Sequence, residues 1–167
     1  IRRFHPRVAV FLNLSPDHLD RHPDFEAYAA AKARVFENQG PADWAVVNAD
    51  DPRVLALARA GRARVLAVSP RPGSEPCAFF ADGAARLRRD GREERLFELA
   101  AVRLPGAHLA FDLLCAAAAA RLMGATTEAV SRAVAAFDGV PHALERVAEV
   151  AGVRFFNDSK ATNVDAA

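Results

Sequence analysis

Val8-Ala9-Val10-Phe11-Leu12-Asn13-Leu14 is an unbroken apolar run up to Asn13, with β-branched and aromatic members, and Ser15-Pro16-Asp17-His18-Leu19-Asp20-Arg21 follows it at once. A continuous run of this length reads as a strand covered on both faces, the habit of parallel sheets. The polar stretch after it is then a loop at the strand's carboxyl end. Working outward, Pro23-Asp24 opens a helix that should end before Gly40-Pro41. Residues 44–48 form a second short strand, and Asp50-Asp51-Pro52 starts a second helix, closed by Gly61. Residues 64–69 supply a third strand. Strand and helix in alternation predict an α/β fold, a mostly parallel sheet with flanking helices.

The pattern changes after residue 76. Segments 77–81, 84–88 and 92–99 are separated by Asp82-Gly83 and Asp90-Gly91, pairs that favour tight hairpin turns, so a small antiparallel sheet is expected here. Residues 109–123 are apolar on nearly every side and predict a buried helix ending at Gly124. Thr126 can cap a further helix that stops by Gly139. Val140-Pro141 reads as a linker. We place one unit over residues 1–139 and the beginning of another over 140–167, where residues 144–150 and 153–156 should form a hairpin turning at Gly152.

Composition narrows the function classes. The chain has 167 residues, 51% hydrophobic and 26% charged, with a net charge of +1. That balance gives no footing for nucleic acid or an anionic membrane as partner. No apolar run is long enough to span a bilayer. Cys77 and Cys115 follow no metal or redox spacing and read as reduced thiols, as in the cytoplasm. Among the 22 basic residues only Lys32 and Lys160 are lysines. A primary amine can lose its proton and react, whereas a guanidinium stays charged.

Lys32 falls on the stripe marked by Phe25, Tyr28, Ala29, Val35 and Phe36, a spacing that predicts a core-facing position. An amine there must bury its charge, reach outward, or be altered. Carbon dioxide would turn a neutral amine into a carbamate, whose two oxygens suit a hard cation such as Mg2+. His18 could supply a nitrogen to the same ion, with Asp17 and Asp20 nearby. The plainer reading is a lysine whose stem packs against Phe36 while its head stays in water. The second polar cluster is Asn157-Asp158-Ser159-Lys160-Ala161-Thr162-Asn163, after a strand. Loops at strand carboxyl ends are where α/β proteins place ligand contacts. Lys160 can neutralise a phosphate or carboxylate, and Asp158 can accept from a ribose hydroxyl. The same residues could simply cap the next helix.

The 13–21 stretch with Tyr28-Ala29-Ala30-Ala31-Lys32, and Asn48-Ala49-Asp50-Asp51-Pro52 after it, resembles the central-domain signature of the Mur ligase superfamily. The 157–163 stretch resembles the member that joins D-glutamate to UDP-N-acetylmuramoyl-L-alanine. The resemblance implies a Mur central domain followed by the start of a Rossmann-like ligase domain, in a cytoplasmic, monomeric enzyme of peptidoglycan synthesis that uses ATP and Mg2+. It implies that His18 and a carbamylated Lys32 hold the metal, and that Lys160 and Thr162 lie near the phosphate and the incoming glutamate. Asp158 and His142 would meet the ribose and adenine, with His108 and Asp112 also at the nucleotide. Asn13, Ser159 and Thr162 would touch substrate. The family pattern has His-Asn with a second Asn three residues on, and Arg after Pro-His. This chain has His108-Leu109, Asp112 and Ala143 instead. It also contains no Gly-x-x-x-x-Gly-Lys-Ser/Thr phosphate loop, so it is expected to be a portion of a three-domain enzyme, inactive alone. Two other readings are a sister ligase, of the folylpolyglutamate type for example, and a non-catalytic nucleotide-binding domain.

Overall fold

The computed structural model describes residues 3–16 and 21–161. Its centre is a six-stranded sheet in which strands run side by side in chain order: β1 (Val8–Phe11), β2 (Trp44–Asn48), β3 (Arg64–Val68), β4 (Cys77–Ala81), β5 (Ala84–Arg89) and β6 (Arg92–Glu98). The first four are mutually parallel, in the register Val8↔Trp44 and Trp44↔Arg64, and β4–β5–β6 form an antiparallel meander. The expected hairpins therefore extend the parallel sheet instead of standing apart from it. Both turns are built as their sequences predict, with φ of 49° and 72° at Asp82-Gly83 and 54° and 70° at Asp90-Gly91. These are the left-handed values that a two-residue turn needs to match strand twist.

Period-2 alternation divides the core into two layers. Trp44, Val46, Leu66 and Val68 face one side, against α3 (Ala107–Leu122) and α4 (Thr127–Ala136). Ala45 and Val47 face the other, against α2 (Pro52–Arg59) and the 3-10 turn Arg34–Phe36. Helix starts follow their caps. Asp24 accepts from Ala27 N at the head of α1 (Phe25–Ala33), Asp51 from Arg53 N and Val54 N, and Thr126 from Ala129 N. α1 is shorter than the sequence pattern suggested, because the 3-10 turn takes over at Arg34.

Two buried polar side chains fix the entry to the sheet. Gln39 donates to the carbonyls of Pro6 and Trp44. Asp43 accepts from Gly40 N at 2.7 Å and lies 2.6 Å from His5 Nε2. The Gly40 amide and then His5 hold the Asp43 carboxyl below the usual carboxylate range. Both cysteines are buried and free. Beyond α4, β7 (Glu145–Val150) and β8 (Val153–Asn157) form a separate two-stranded antiparallel sheet turning at Ala151-Gly152. No helix among the described residues is long and apolar enough to cross a membrane.

Candidate nucleotide and substrate site

The carboxyl ends of β1, β2 and β3 open onto a groove of about 330 Å³. Leu12 and Asn13 enter it after β1, Asn48 at the end of β2 and Asp50 just beyond it, Pro70 after β3, and His108, Phe111 and Asp112 from the first turns of α3. The sequence pointed to Asn13, His108 and Asp112 separately, and the fold brings all three together. It also adds residues that the sequence reading missed. Asp50 looked like part of a helix start, but only Asp51 caps α2. Asp50 accepts instead from Ser69 Oγ at 3.0 Å, and Asn48 Oδ1 accepts from Asp50 N at 2.9 Å. Asp51 also receives Leu14 N at 3.3 Å, which ties the loop after β1 to α2. Besides the family likeness of residues 48–52, the signal was position: Asn48 closes β2 and Asp50 follows two residues later, at the strand's carboxyl end.

α3 begins where the groove needs it. Gly106, its N-cap, has φ of 88°, and a Cβ there would stand 2.8 Å from the His108 ring. Glycine thus serves both the backbone conformation and the place of the imidazole. No side chain caps this helix start. Burial raises the Asp112 carboxyl above the usual range, and His108 opposes the shift.

The 157–161 segment forms a second polar cluster at the base of the β7–β8 hairpin. His142 Nδ1 lies 2.8 Å from Asn157 Nδ2, so the amide donates and the ring accepts. Leu144 N donates to Asp158 Oδ1 at 3.0 Å, Lys160 N to the His142 carbonyl at 2.9 Å, and Ser159 N to Asn157 Oδ1 at 3.1 Å. His142, Asp158, Ser159 and Lys160 are therefore brought to one place. Leu144 N engages one Asp158 oxygen, and the other has no hydrogen-bond partner among the described residues.

Lys32 departs from expectation. It is exposed, not core-facing, and its Nζ stands 5.3 Å from the Tyr28 ring centroid. The stripe argument assumes that α1 packs on the sheet along its length. In the structure Tyr28 and Ala29 of α1 are buried, Tyr28 against His22 and Phe25, while Phe36 and Val35 of the 3-10 turn join the core under the sheet, and Lys32 between them turns outward. Asp17, His18, Asp20 and Thr162 lie outside the described residues. Among the described residues no three His, Cys, Asp or Glu side chains converge as a metal site. The donor chemistry at Lys32 fits a divalent cation only as a carbamate, since an ammonium repels one. Among the described residues the Lys32 amine pairs with no carboxylate and lies over the Tyr28 ring.

Comparison with known proteins bears on the family and the fold. The family model described as the Mur ligase middle domain matches residues 1–120. The chain is 44% identical over 164 residues to the UDP-N-acetylmuramoylalanine–D-glutamate ligase of Geobacter metallireducens, covering 98% of this chain and 36% of that protein. It is 46% identical over 160 residues to the protein of the same name from Symbiobacterium thermophilum, covering 95% and 35%. The chain thus spans about a third of the length of these relatives. Among solved structures, MurF from Acinetobacter baumannii superposes with a TM-score of 0.67 at 20% identity, covering 96% of this chain and 35% of that one. E. coli FolC in complex with DHPP and ADP gives 0.66 at 22%, covering 96% and 36%. At such identities these two likenesses speak for the fold.

Proposed function

Since the chain belongs to the Mur ligase family through its middle domain, we propose that it serves an ATP-dependent ligase that joins D-glutamate to UDP-N-acetylmuramoyl-L-alanine, as part of peptidoglycan synthesis in the cytoplasm. The observation that carries this reading is the convergence of Asn13, Asn48, Asp50, His108 and Asp112 at the carboxyl ends of the parallel strands. There a sheet of this kind binds its ligand. The relatives' names supply the substrates. Residues 1–139 belong to the nucleotide-binding part, and 140–167 begin the part that receives the amino acid.

The substrate carboxylate takes the terminal phosphoryl group of ATP, and the glutamate amine then displaces phosphate to form the amide. Such a transfer needs charge stabilisation and alignment more than covalent help. Lys160 neutralises oxygen charge on the transferred group. Asp158 accepts from the ribose through its uncommitted oxygen, with His142 beside the base. Ser159, Thr162 and Asn13 orient the substrates. His18 and a carbamylated Lys32 would hold Mg2+, which supplies charge neutralisation at the phosphoryl oxygens when bound.

The test is an amino-acid panel on the full-length protein with Mg-ATP and UDP-N-acetylmuramoyl-L-alanine, reading ADP release and product mass. Turnover with D-glutamate is expected; turnover with L-alanine but not D-glutamate would overturn the reading. In the same assay Lys32→Ala should lower kcat by about 10²–10³-fold or more, the scale of losing one fixed electrostatic stabiliser. Small carboxylic acids should restore part of that loss and bicarbonate should not. A Lys32→Ala protein with the wild-type rate would remove the carbamate from the mechanism.

A further inference from the structure

A second cavity, of about 390 Å³, lies at the other end of the sheet from the groove, where β2 and β3 begin. Trp44, Arg64, Glu75, Arg89 and Asp90 line it. Trp44 is buried, and two guanidinium groups stand over its ring: the Arg64 carbon is 4.1 Å from the ring centroid and the Arg89 carbon 5.8 Å. Two of the four charges satisfy each other, since Arg89 Nε lies 3.2 Å from Asp90 Oδ2. The other two are left over. Arg64 pairs with no carboxylate among the described residues, and its bond to the Ala42 carbonyl is long, at 3.5 Å. Glu75 pairs with no cation among them. One of its oxygens accepts from Gly91 N at 2.7 Å. Arg88, which feels the Glu75 charge, is committed to Glu93 at 2.8 Å.

A guanidinium stacked on an indole gives its face to the ring and keeps its N–H edge for a ligand. That planar edge matches the two oxygens of a carboxylate. Stacking also holds the side chain before a ligand arrives, so less freedom is lost on binding. The Glu75 carboxylate only accepts hydrogen bonds, and the oxygen that Gly91 does not engage suits an ammonium. One cation and one anion left unpaired on a single cavity are the complement of a ligand that carries one of each. We propose that this cavity binds a small zwitterion, with the chemistry of a free amino acid, its carboxylate on Arg64 and its ammonium on Glu75. The site is separate from the groove, since β2 begins at Trp44 in one and ends at Asn48 in the other. It therefore stands or falls apart from the ligase reading.

Trp44 is the only tryptophan of the 167 residues, so its fluorescence reports on this cavity directly. Glycine, acetate and methylamine are titrated at neutral pH and constant ionic strength, because exposed charges are screened by salt. Glycine carries both charges and the other two carry one each. Glycine should change the emission saturably and bind about tenfold or more tightly than acetate or methylamine, the scale of a hydrogen bond to a charged group. Arg64→Gln should lower the glycine affinity by a similar factor. Glu75→Gln should do the same while leaving acetate where it was. No saturable response to glycine, equal affinity for glycine and acetate, or a Glu75→Gln protein that binds glycine as the wild type does would overturn the proposal. The three wild-type titrations need no variant. Repeated by calorimetry on the full-length protein, they do not depend on the shorter chain folding alone.

Discussion

β2 and β8 are each five residues long, each rich in Val and aromatic side chains, and each ends on an asparagine whose Oδ1 accepts the backbone amide two residues on. Locally they are nearly the same object. Yet Val46 and Val47 of β2 are fully buried, whereas Val153, Phe155 and Phe156 of β8 are 40–57% exposed. β2 has parallel neighbours on both edges and helices over both faces, while β8 has only β7. The Asn turn is therefore written in the local sequence, and burial is written by what else arrives. The consequence for function is a difference in how firmly each site is held. Asn48 and Asp50 hang from a packed sheet, so the groove is fixed by the core beneath it. His142, Asp158, Ser159 and Lys160 hang from a hairpin held mainly by their own hydrogen bonds.

The sharpest way to break this contrast is to open the core under the groove. Leu66 of β3 is fully buried beside Val46. Leu66→Ala should cost about 2–5 kcal/mol, the loss of the buried atoms plus the cavity they leave. Urea denaturation followed by circular dichroism measures it. A cost below about 1 kcal/mol would mean that the sheet is far less tightly packed than its burial states. Asp51→Ala comes next. It removes the acceptor for two amides of α2 and for Leu14 N, and should cost about 1–2 kcal/mol in the same measurement. Because Leu14 N then has no side-chain partner, the variant should also weaken nucleotide binding in the full-length protein, with Asn13 less well placed.

Much of this was legible from residue order. The three parallel strands, the two Asp-Gly turns, the cap at Thr126 and a carboxylate cap within Asp50-Asp51-Pro52 all follow from local chemistry, and the structure has them. Asn13, His108 and Asp112 were identified one by one. The groove they share was not, since it exists only once α3 folds back over the ends of β1 and β2. Asp50 was hidden for a related reason: the sequence cannot tell which of two adjacent aspartates caps the helix and which turns toward Ser69. Lys32 shows the opposite failure. Its spacing is that of a buried position, but periodicity describes one helix and says nothing about whether a sheet lies under that end of it. The arginine-rich hairpins divide the same way. Arg86 and Arg88 pair with Glu93 as their neighbourhood suggests, whereas Glu94 goes to Arg121 of α3, a partner that no local reading supplies.

The smallest expected effect is the most informative about β8. Phe155 is 48% exposed on a strand with one neighbour. Phe155→Ser in this 167-residue chain should change stability by no more than about 0.5 kcal/mol, the range of surface substitutions. Burying a phenylalanine fully is worth about 1.5–3 kcal/mol, so the two outcomes are well separated in a denaturant titration. A loss above 1.5 kcal/mol would place Phe155 in a packed environment and erase the contrast with β2. A loss within the surface range would leave the hairpin held by its turn and by the Leu144–Asp158 and His142–Asn157 bonds. In that case stability and site geometry come apart in this half of the chain. Asn157→Ala should then disturb ligand contacts at His142 while leaving the melting of the six-stranded sheet where it was, because neither residue belongs to the core clusters among the described residues.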